Sequence, residues 1–70
     1  SGVSDICIPI ARNGYHGAWF ELKIKPNKLT DAQKEFLDAM VDNGYYAVAV
    51  WSLDQLIHET EYYLDTKLVK

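Results

Sequence analysis

The chain has little cysteine and no long apolar run, and each scarcity excludes a class of protein. One cysteine among 70 residues cannot form an internal disulfide, which excludes a small secreted scaffold held by disulfides. The longest apolar run covers residues 45–51, well short of the roughly 18 residues of a membrane span. The sequence contains no basic segment followed by an apolar stretch, so no signal peptide is predicted. We therefore expect one small intracellular globular domain over residues 1–70.

Positive charge is also scarce. The chain has seven Lys and Arg residues against ten Asp and Glu residues, for a net charge of −3, whereas a nucleic-acid-binding domain is usually basic. Residues 1–29 nevertheless contain four basic and two acidic residues, and residues 30–70 contain three basic and eight acidic residues. A phosphate-facing surface is therefore expected in the first half, and a solvated acidic face in the second.

The first half of the pattern predicts a β-hairpin. Residues 5–10 are rich in apolar, β-branched side chains, and apolar and polar side chains alternate along residues 18–24, as is typical of strands. Asn13-Gly14 between them is a strong hairpin signal. Cys7 is expected to pack as a small hydrophobe. Alternation places two sets on opposite faces of the second strand: Phe20, Leu22 and Ile24 on one, and Trp19, Glu21 and Lys23 on the other.

The second half predicts a helix, a strand and another helix. Thr30 and Gln33 fit a capping box, and Asn43-Gly44 fits a helix end. Residues 46–51 are apolar on both alternating faces, which predicts a strand buried on both sides. A second capping box is expected at Ser52 and Gln55. The predicted apolar stripes are Phe36, Leu37 and Met40 on the first helix, and Leu53, Leu56, Ile57, Tyr63 and Leu64 on the second, with Glu59 and Glu61 off the stripe.

These elements predict an α/β fold: a mixed β-sheet flanked by helices. The order is a β-hairpin, then a β-α-β unit with a right-handed parallel crossover, then a C-terminal helix.

Four polar residues are expected to converge beside this sheet. Asp5 begins the first strand, Glu21 and Lys23 lie about 6.5–7 Å apart along the second, and Gln33 lies on the inward stripe of the helix. Two carboxylates with a lysine suit a hard cation such as Mg²⁺, which takes oxygen ligands. Such a cation activates water, and the lysine stabilises developing charge or helps to position the water.

An ordered set of motifs then suggests a family. Gly2-Val3-Ser4-Asp5, Tyr15-His16-Gly17, Glu21-Leu22-Lys23 and Thr30-Asp31-Ala32-Gln33 together resemble the virus-type replication-repair nuclease (VRR-NUC) domain of the PD-(D/E)XK superfamily. The similarity is closest to the small stand-alone phage type and extends over nearly the whole chain. Two departures are Ser4, where the family usually has proline, and the family's leading helix and strand, which carry a further glutamate and are missing from this sequence. The domain is therefore expected to be truncated at its N-terminus.

The resemblance implies a restriction-endonuclease-like fold and a metal-dependent DNA endonuclease. Asp5, Glu21 and the main-chain carbonyl of Leu22 would bind Mg²⁺ or Mn²⁺, Lys23 would be the catalytic lysine, and Gln33 would orient the site. The substrate would be branched or Holliday-junction-like DNA. The enzyme would be a phage-encoded homodimer that acts in replication, recombination or repair in the bacterial cytoplasm.

Several residues have an ordinary structural interpretation beside the functional one. Arg12, His16, Lys25 and Lys28 are candidate DNA-backbone contacts, or else ordinary loop and surface residues. The nine aromatic residues indicate either core packing or a self-association surface. The competing function is a catalytically incomplete nuclease fold that acts as a DNA-structure-binding, protein-interaction or dimerisation module.

Overall fold

The computed structural model describes residues 5–68 as a three-stranded sheet with two helices. The elements are β1 (Asp5–Ile8), β2 (Ala18–Leu22), α1 (Asp31–Asp42), β3 (Tyr46–Val50) and α2 (Leu53–Leu64). β2 is central, because it pairs antiparallel with β1 and parallel with β3. The predicted mixed α/β arrangement, with its hairpin and parallel crossover, is confirmed. The motif residues Gly2, Val3 and Ser4 lie outside the described residues.

The β1–β2 hairpin turns at the predicted dipeptide. Asn13 and Gly14 have φ values of 53° and 85°, as expected for a primed turn that matches the twist of the strands. Residues 9–11 on the first side oppose only residues 16–17 on the second. This bulge accommodates Pro9, which has no N–H to donate to the sheet.

One face of the sheet forms the main core with α2. Its fully buried members are Ala18, Phe20, Val50 and Tyr63. The Tyr63 ring stacks on Tyr46 with ring centroids 5.7 Å apart, and its hydroxyl donates to the Ile10 carbonyl at 2.6 Å. α2 is therefore tied both to the sheet and to the hairpin.

The other face packs against α1. Trp19 and Phe36 meet edge to face, with ring centroids 5.1 Å apart. Ala47 and Ala49 alternate with the β3 residues of the main core, so they face α1, and their small side chains let the helix approach β3 closely. The β1 edge of this face is less covered, because Asp5 and Cys7 are both exposed. The expectation that Cys7 packs in the interior is therefore wrong.

The helix ends follow the predicted caps with one exception. Thr30 and Gln33 form the complete capping box of α1, and α1 ends at the C-cap Asn43, followed by Gly44 with a φ of 91°. Ser52 accepts from the Gln55 backbone N–H at 3.0 Å. The second capping box is wrong in its other half, because the Gln55 side chain accepts from the Trp51 backbone N–H at 2.8 Å instead.

Some apolar residues lie outside the predicted faces. Ile24 is 63% exposed because β2 ends before it, and Leu53 is 69% exposed because it is the first residue of α2. Phe36 lies on the predicted stripe of α1 but is 43% exposed. β3 is half-buried except for its buried last residue, so the expectation of burial on both faces is wrong.

Glu59 is also placed differently from the prediction. It is half-buried on α2 and accepts a hydrogen bond from the Tyr46 hydroxyl. Burial and this carboxylate raise the pKa of Tyr46 above its ordinary value, so the phenol keeps its proton and the bond. Within residues 5–68, neither helix has the length and apolar content needed to cross a bilayer.

Candidate functional site

The first two candidate residues meet where β1 pairs with the end of β2. Asp5 and Glu21 are direct Cα partners in the antiparallel ladder, so their side chains emerge on the same face, with Cβ atoms about 4.5–5.5 Å apart. Asp5 is exposed, whereas Glu21 is only 7% exposed. The predicted pair of carboxylates is therefore formed by strand register.

Gln33 joins the other candidate residues through its side-chain amide. Its Nε2 donates to Glu21 Oε2 at 3.3 Å, and its Oε1 accepts from Lys23 Nζ at 3.1 Å. Oε1 also accepts from the Thr30 backbone N–H at 2.9 Å, as part of the α1 capping box. The cap thus fixes the amide that holds Lys23 and Glu21 together, and all four predicted site residues lie in one place.

The main chain supplies a further oxygen. The Lys23 backbone N–H donates to the Val50 carbonyl at 2.9 Å, so it points towards β3. The Leu22 carbonyl belongs to the same trans peptide and therefore points the opposite way, towards β1. Leu22 is thus placed with its oxygen on the side where Asp5 lies.

The electrostatics of Glu21 are unusual for a carboxyl group. Burial, and then the hydrogen bond and charge of Asp5, raise its pKa above the ordinary value of 4.5, while Trp19 and Lys23 act to lower it. The uncharged form of Glu21 is therefore favoured more than in an ordinary glutamate. A divalent cation between Asp5 and Glu21 would favour the charged form of both.

A cavity of about 410 Å³ opens over this cluster. Its lining combines polar groups and aromatic rings, from Asp5, Trp19, Glu21, Ala32, Gln33 and Phe36. Mg²⁺ keeps several water ligands and is commonly held by one or two carboxylates together with substrate phosphates. The lining is mostly apolar, so the two carboxylates and the Gln33 amide are the groups in the cavity that could hold such a cation.

The acidic set is limited to this pair. Among residues 5–68, no group of three or more His, Cys, Asp or Glu residues could hold a metal ion. A third protein ligand would have to be a main-chain oxygen such as that of Leu22. The donor set is therefore entirely oxygen, which fits Mg²⁺ or Mn²⁺.

The candidate DNA contacts fall at two ends of the sheet. Lys25 and Lys28 are exposed in the segment between β2 and α1, just after Lys23. Arg12 and His16 are exposed at the hairpin end, beyond the opposite end of β2. Arg12 and His16 therefore do not lie beside the pair of carboxylates, because the hairpin turn is at the opposite end of β2.

Sequence reasoning missed the role of Trp19. It was expected on the Glu21 face as one of many aromatic residues, but it forms a wall of the cavity. Its Nε1 is buried and has no hydrogen-bond partner within the described part of the chain. Strand alternation correctly placed Trp19 on the Glu21 face, but it does not indicate that the ring would line a cavity with a buried N–H.

No protein-family model, curated protein or solved structure matches this chain. The resemblance to the VRR-NUC domain therefore rests on its motif residues, and a function has to be argued from their arrangement.

Proposed function

We propose that the chain is a divalent-metal-dependent DNA endonuclease with a restriction-endonuclease-like site. The observation that carries the proposal is the hydrogen-bonded series from Lys23 through Gln33 to Glu21, with Asp5 paired beside it. An exposed surface pair of Glu and Lys would not need a fixed amide between its members. A site that must hold a carboxylate and an ammonium at set positions does.

The donor set fits Mg²⁺ or Mn²⁺. Asp5, Glu21 and the Leu22 carbonyl would hold the cation, which supplies Lewis-acid activation of water and of the phosphate. Glu21 is buried beside Asp5, which raises its pKa, so the charged form of its carboxyl group is disfavoured. A bound cation would favour the charged form.

Each remaining residue has a distinct role in this proposal. Lys23 stabilises the negative charge that develops on the phosphate as water attacks, a type of contribution that often reaches 10²- to 10³-fold in rate. Gln33 holds Lys23 and Glu21 in their relative positions. Lys25 and Lys28 contact the DNA backbone next to the site.

The substrate in this proposal is branched or Holliday-junction-like DNA, and the active form is a homodimer. A two-fold dimer presents two cutting sites to two strands. The motif resemblance further supports a phage enzyme of replication, recombination or repair that acts in the host cytoplasm.

A cleavage assay tests this function. Supercoiled, cruciform, flap and relaxed linear duplex DNA are incubated with the protein in Mg²⁺, in Mn²⁺ and in a chelator. We expect cutting only with a metal, and faster cutting of the cruciform and flap than of relaxed linear duplex. Equal cutting in the chelator would contradict the proposed chemistry, and equal rates on all DNAs would contradict the proposed substrate.

A second candidate is a non-catalytic module that binds DNA structure or a protein partner. The observation that favours it is the small acidic set, since only two carboxylates among residues 5–68 meet at the site and Asp5 is exposed. Calorimetric titration with Mg²⁺ separates the two functions. An enzyme binds the cation and loses that binding in Asp5→Ala and Glu21→Ala, whereas the non-catalytic module shows no heat of binding.

A further inference from the structure

Trp19 has an unexplained hydrogen-bond donor beside the site. Its ring is held by the edge-to-face contact with Phe36, 5.1 Å between centroids, and it lines the same cavity as Glu21. Its Nε1 is buried without a hydrogen-bond partner in the described part of the chain. Buried N–H groups in folded proteins nearly always have an acceptor, so this one requires an explanation.

The Glu21 carboxyl is the acceptor that strand geometry places beside the indole. Trp19 and Glu21 are two residues apart on β2, so their side chains leave the same face of the sheet. Both side chains also line the same cavity. A hydrogen bond to a charged carboxylate is stronger than one to a neutral acid, so the indole N–H would favour the charged form of Glu21.

We propose that Trp19 is a positioning residue whose indole N–H donates to the charged Glu21 carboxylate and orients it for a divalent cation. This inference rests on the proposed metal site. Gln33 Nε2 already donates to Glu21 Oε2 at 3.3 Å, so the indole is a second donor that restricts rotation of the carboxylate. Outer partners of this kind typically change metal affinity or activity 10- to 100-fold when they are replaced.

The chain contains a matched control. Trp51 is the other tryptophan, and its Nε1 donates to the Asn27 carbonyl at 2.8 Å. Replacing either tryptophan by phenylalanine keeps an aromatic ring and removes one N–H. Only the change at Trp19 removes a donor that faces Glu21.

The test combines calorimetry with NMR on the full chain. We expect Trp19→Phe to bind Mg²⁺ about 10- to 100-fold more weakly than the unaltered protein, and Trp51→Phe to bind it equally well. In the unaltered protein the two indole N–H resonances are assigned from the two variants. Saturation with Mg²⁺ should move the Trp19 proton downfield, as expected of a stronger hydrogen bond, and leave the Trp51 proton in place.

The outcomes separate this inference from the proposed function. Mg²⁺ binding with an unmoved or upfield-shifted Trp19 proton, or with unchanged affinity in Trp19→Phe, would overturn the positioning role alone. No Mg²⁺ binding by the unaltered protein would overturn both. If Trp19→Phe does not fold, the resonance remaining in Trp51→Phe assigns Trp19, and the shift in the unaltered protein decides.

Discussion

Replacing Glu21 by glutamine should stabilise the metal-free protein. The carboxyl is 7% exposed, accepts a hydrogen bond from Gln33 at 3.3 Å and lies opposite Asp5. In Glu21→Gln the side chain keeps its shape, its amide oxygen can still accept from Gln33, and its NH₂ can donate to Asp5. A buried and poorly satisfied polar group typically costs about 1–3 kcal/mol, so we expect a gain of about 1 kcal/mol when the carboxylate would be charged.

The effect has a defined pH dependence. The pKa of Glu21 is raised in the folded protein above its ordinary value of 4.5, so the folded state holds the proton more tightly than the unfolded chain. Between pH 4.5 and the raised pKa, unfolding therefore releases a proton, and the free energy of unfolding falls as the pH rises through that window. Glu21→Gln has no proton to lose, so its stability should not show this decline.

Urea denaturation in a chelator measures both effects. With a slope near 1 kcal/mol per molar urea for a small protein, a gain of about 1 kcal/mol moves the midpoint by about 1 M. Glu35→Gln, an exposed change on α1, is the matched control and should leave the midpoint within about 0.5 M. A lower midpoint for Glu21→Gln at alkaline pH, or a decline with pH as steep as in the unaltered protein, would refute the reasoning.

Four further substitutions, in three comparisons, test the fold by urea denaturation. Gly44→Ala should destabilise the protein by about 1–3 kcal/mol, because φ is 91° and a Cβ there would lie 2.7 Å from His16 Cδ2. Gly14 has a φ of 85°, but a Cβ there would have no atom within 4 Å, so Gly14→Ala should cost less. Equal losses would contradict the steric argument. Tyr63→Phe should cost about 1 kcal/mol through loss of the 2.6 Å bond to a hairpin carbonyl, and an unchanged midpoint would show that this bond does not hold α2 to the hairpin. Thr30→Ala removes the hydroxyl that accepts from the Gln33 backbone N–H at 3.1 Å and should cost about 1 kcal/mol. Mg²⁺ binding should weaken because the first turn of α1, which positions Gln33, is loosened, although the Thr30 backbone N–H still donates to Gln33 Oε1; unchanged binding would show that the cap does not support the site.

The order of the elements could be predicted from local chemistry. Asn13-Gly14 needs positive φ values and so marked the hairpin, while Thr30 with Gln33 marked the start of α1. The meeting of Glu21, Lys23 and Gln33 was also predictable, because strand alternation and an N-terminal helix position are both local rules.

The errors arose where burial depends on packing between elements. Residues 46–51 have the composition of a fully buried strand, but β3 is an edge strand of the sheet and is only half-buried. Cys7 is exposed because β1 is the other edge strand and α1 packs mainly on β3. Glu59 was expected to be solvated. The sequence does not indicate that the Tyr46 hydroxyl, which comes from a different element, would donate to it.

The alternative use of Gln55 shows a second limit. Sequence spacing predicted that its side chain would return to Ser52, but it bonds the backbone of Trp51, one residue earlier. Each of the neighbouring N–H groups at the start of a helix lacks a hydrogen-bond acceptor within the helix. The motif therefore predicts where the helix starts but not which N–H the side chain binds.

The central claim is tested most directly by comparing cleavage of cruciform DNA by Lys23→Ala and Lys34→Ala in Mn²⁺ or Mg²⁺. Lys23 Nζ bonds Gln33 at the proposed site, whereas Lys34 is the next residue of α1 and is exposed. We expect Lys23→Ala to lose about 10²- to 10³-fold in rate while Lys34→Ala stays within a few-fold of the unaltered protein. Metal-dependent cleavage that survives Lys23→Ala at full rate would contradict the proposed site.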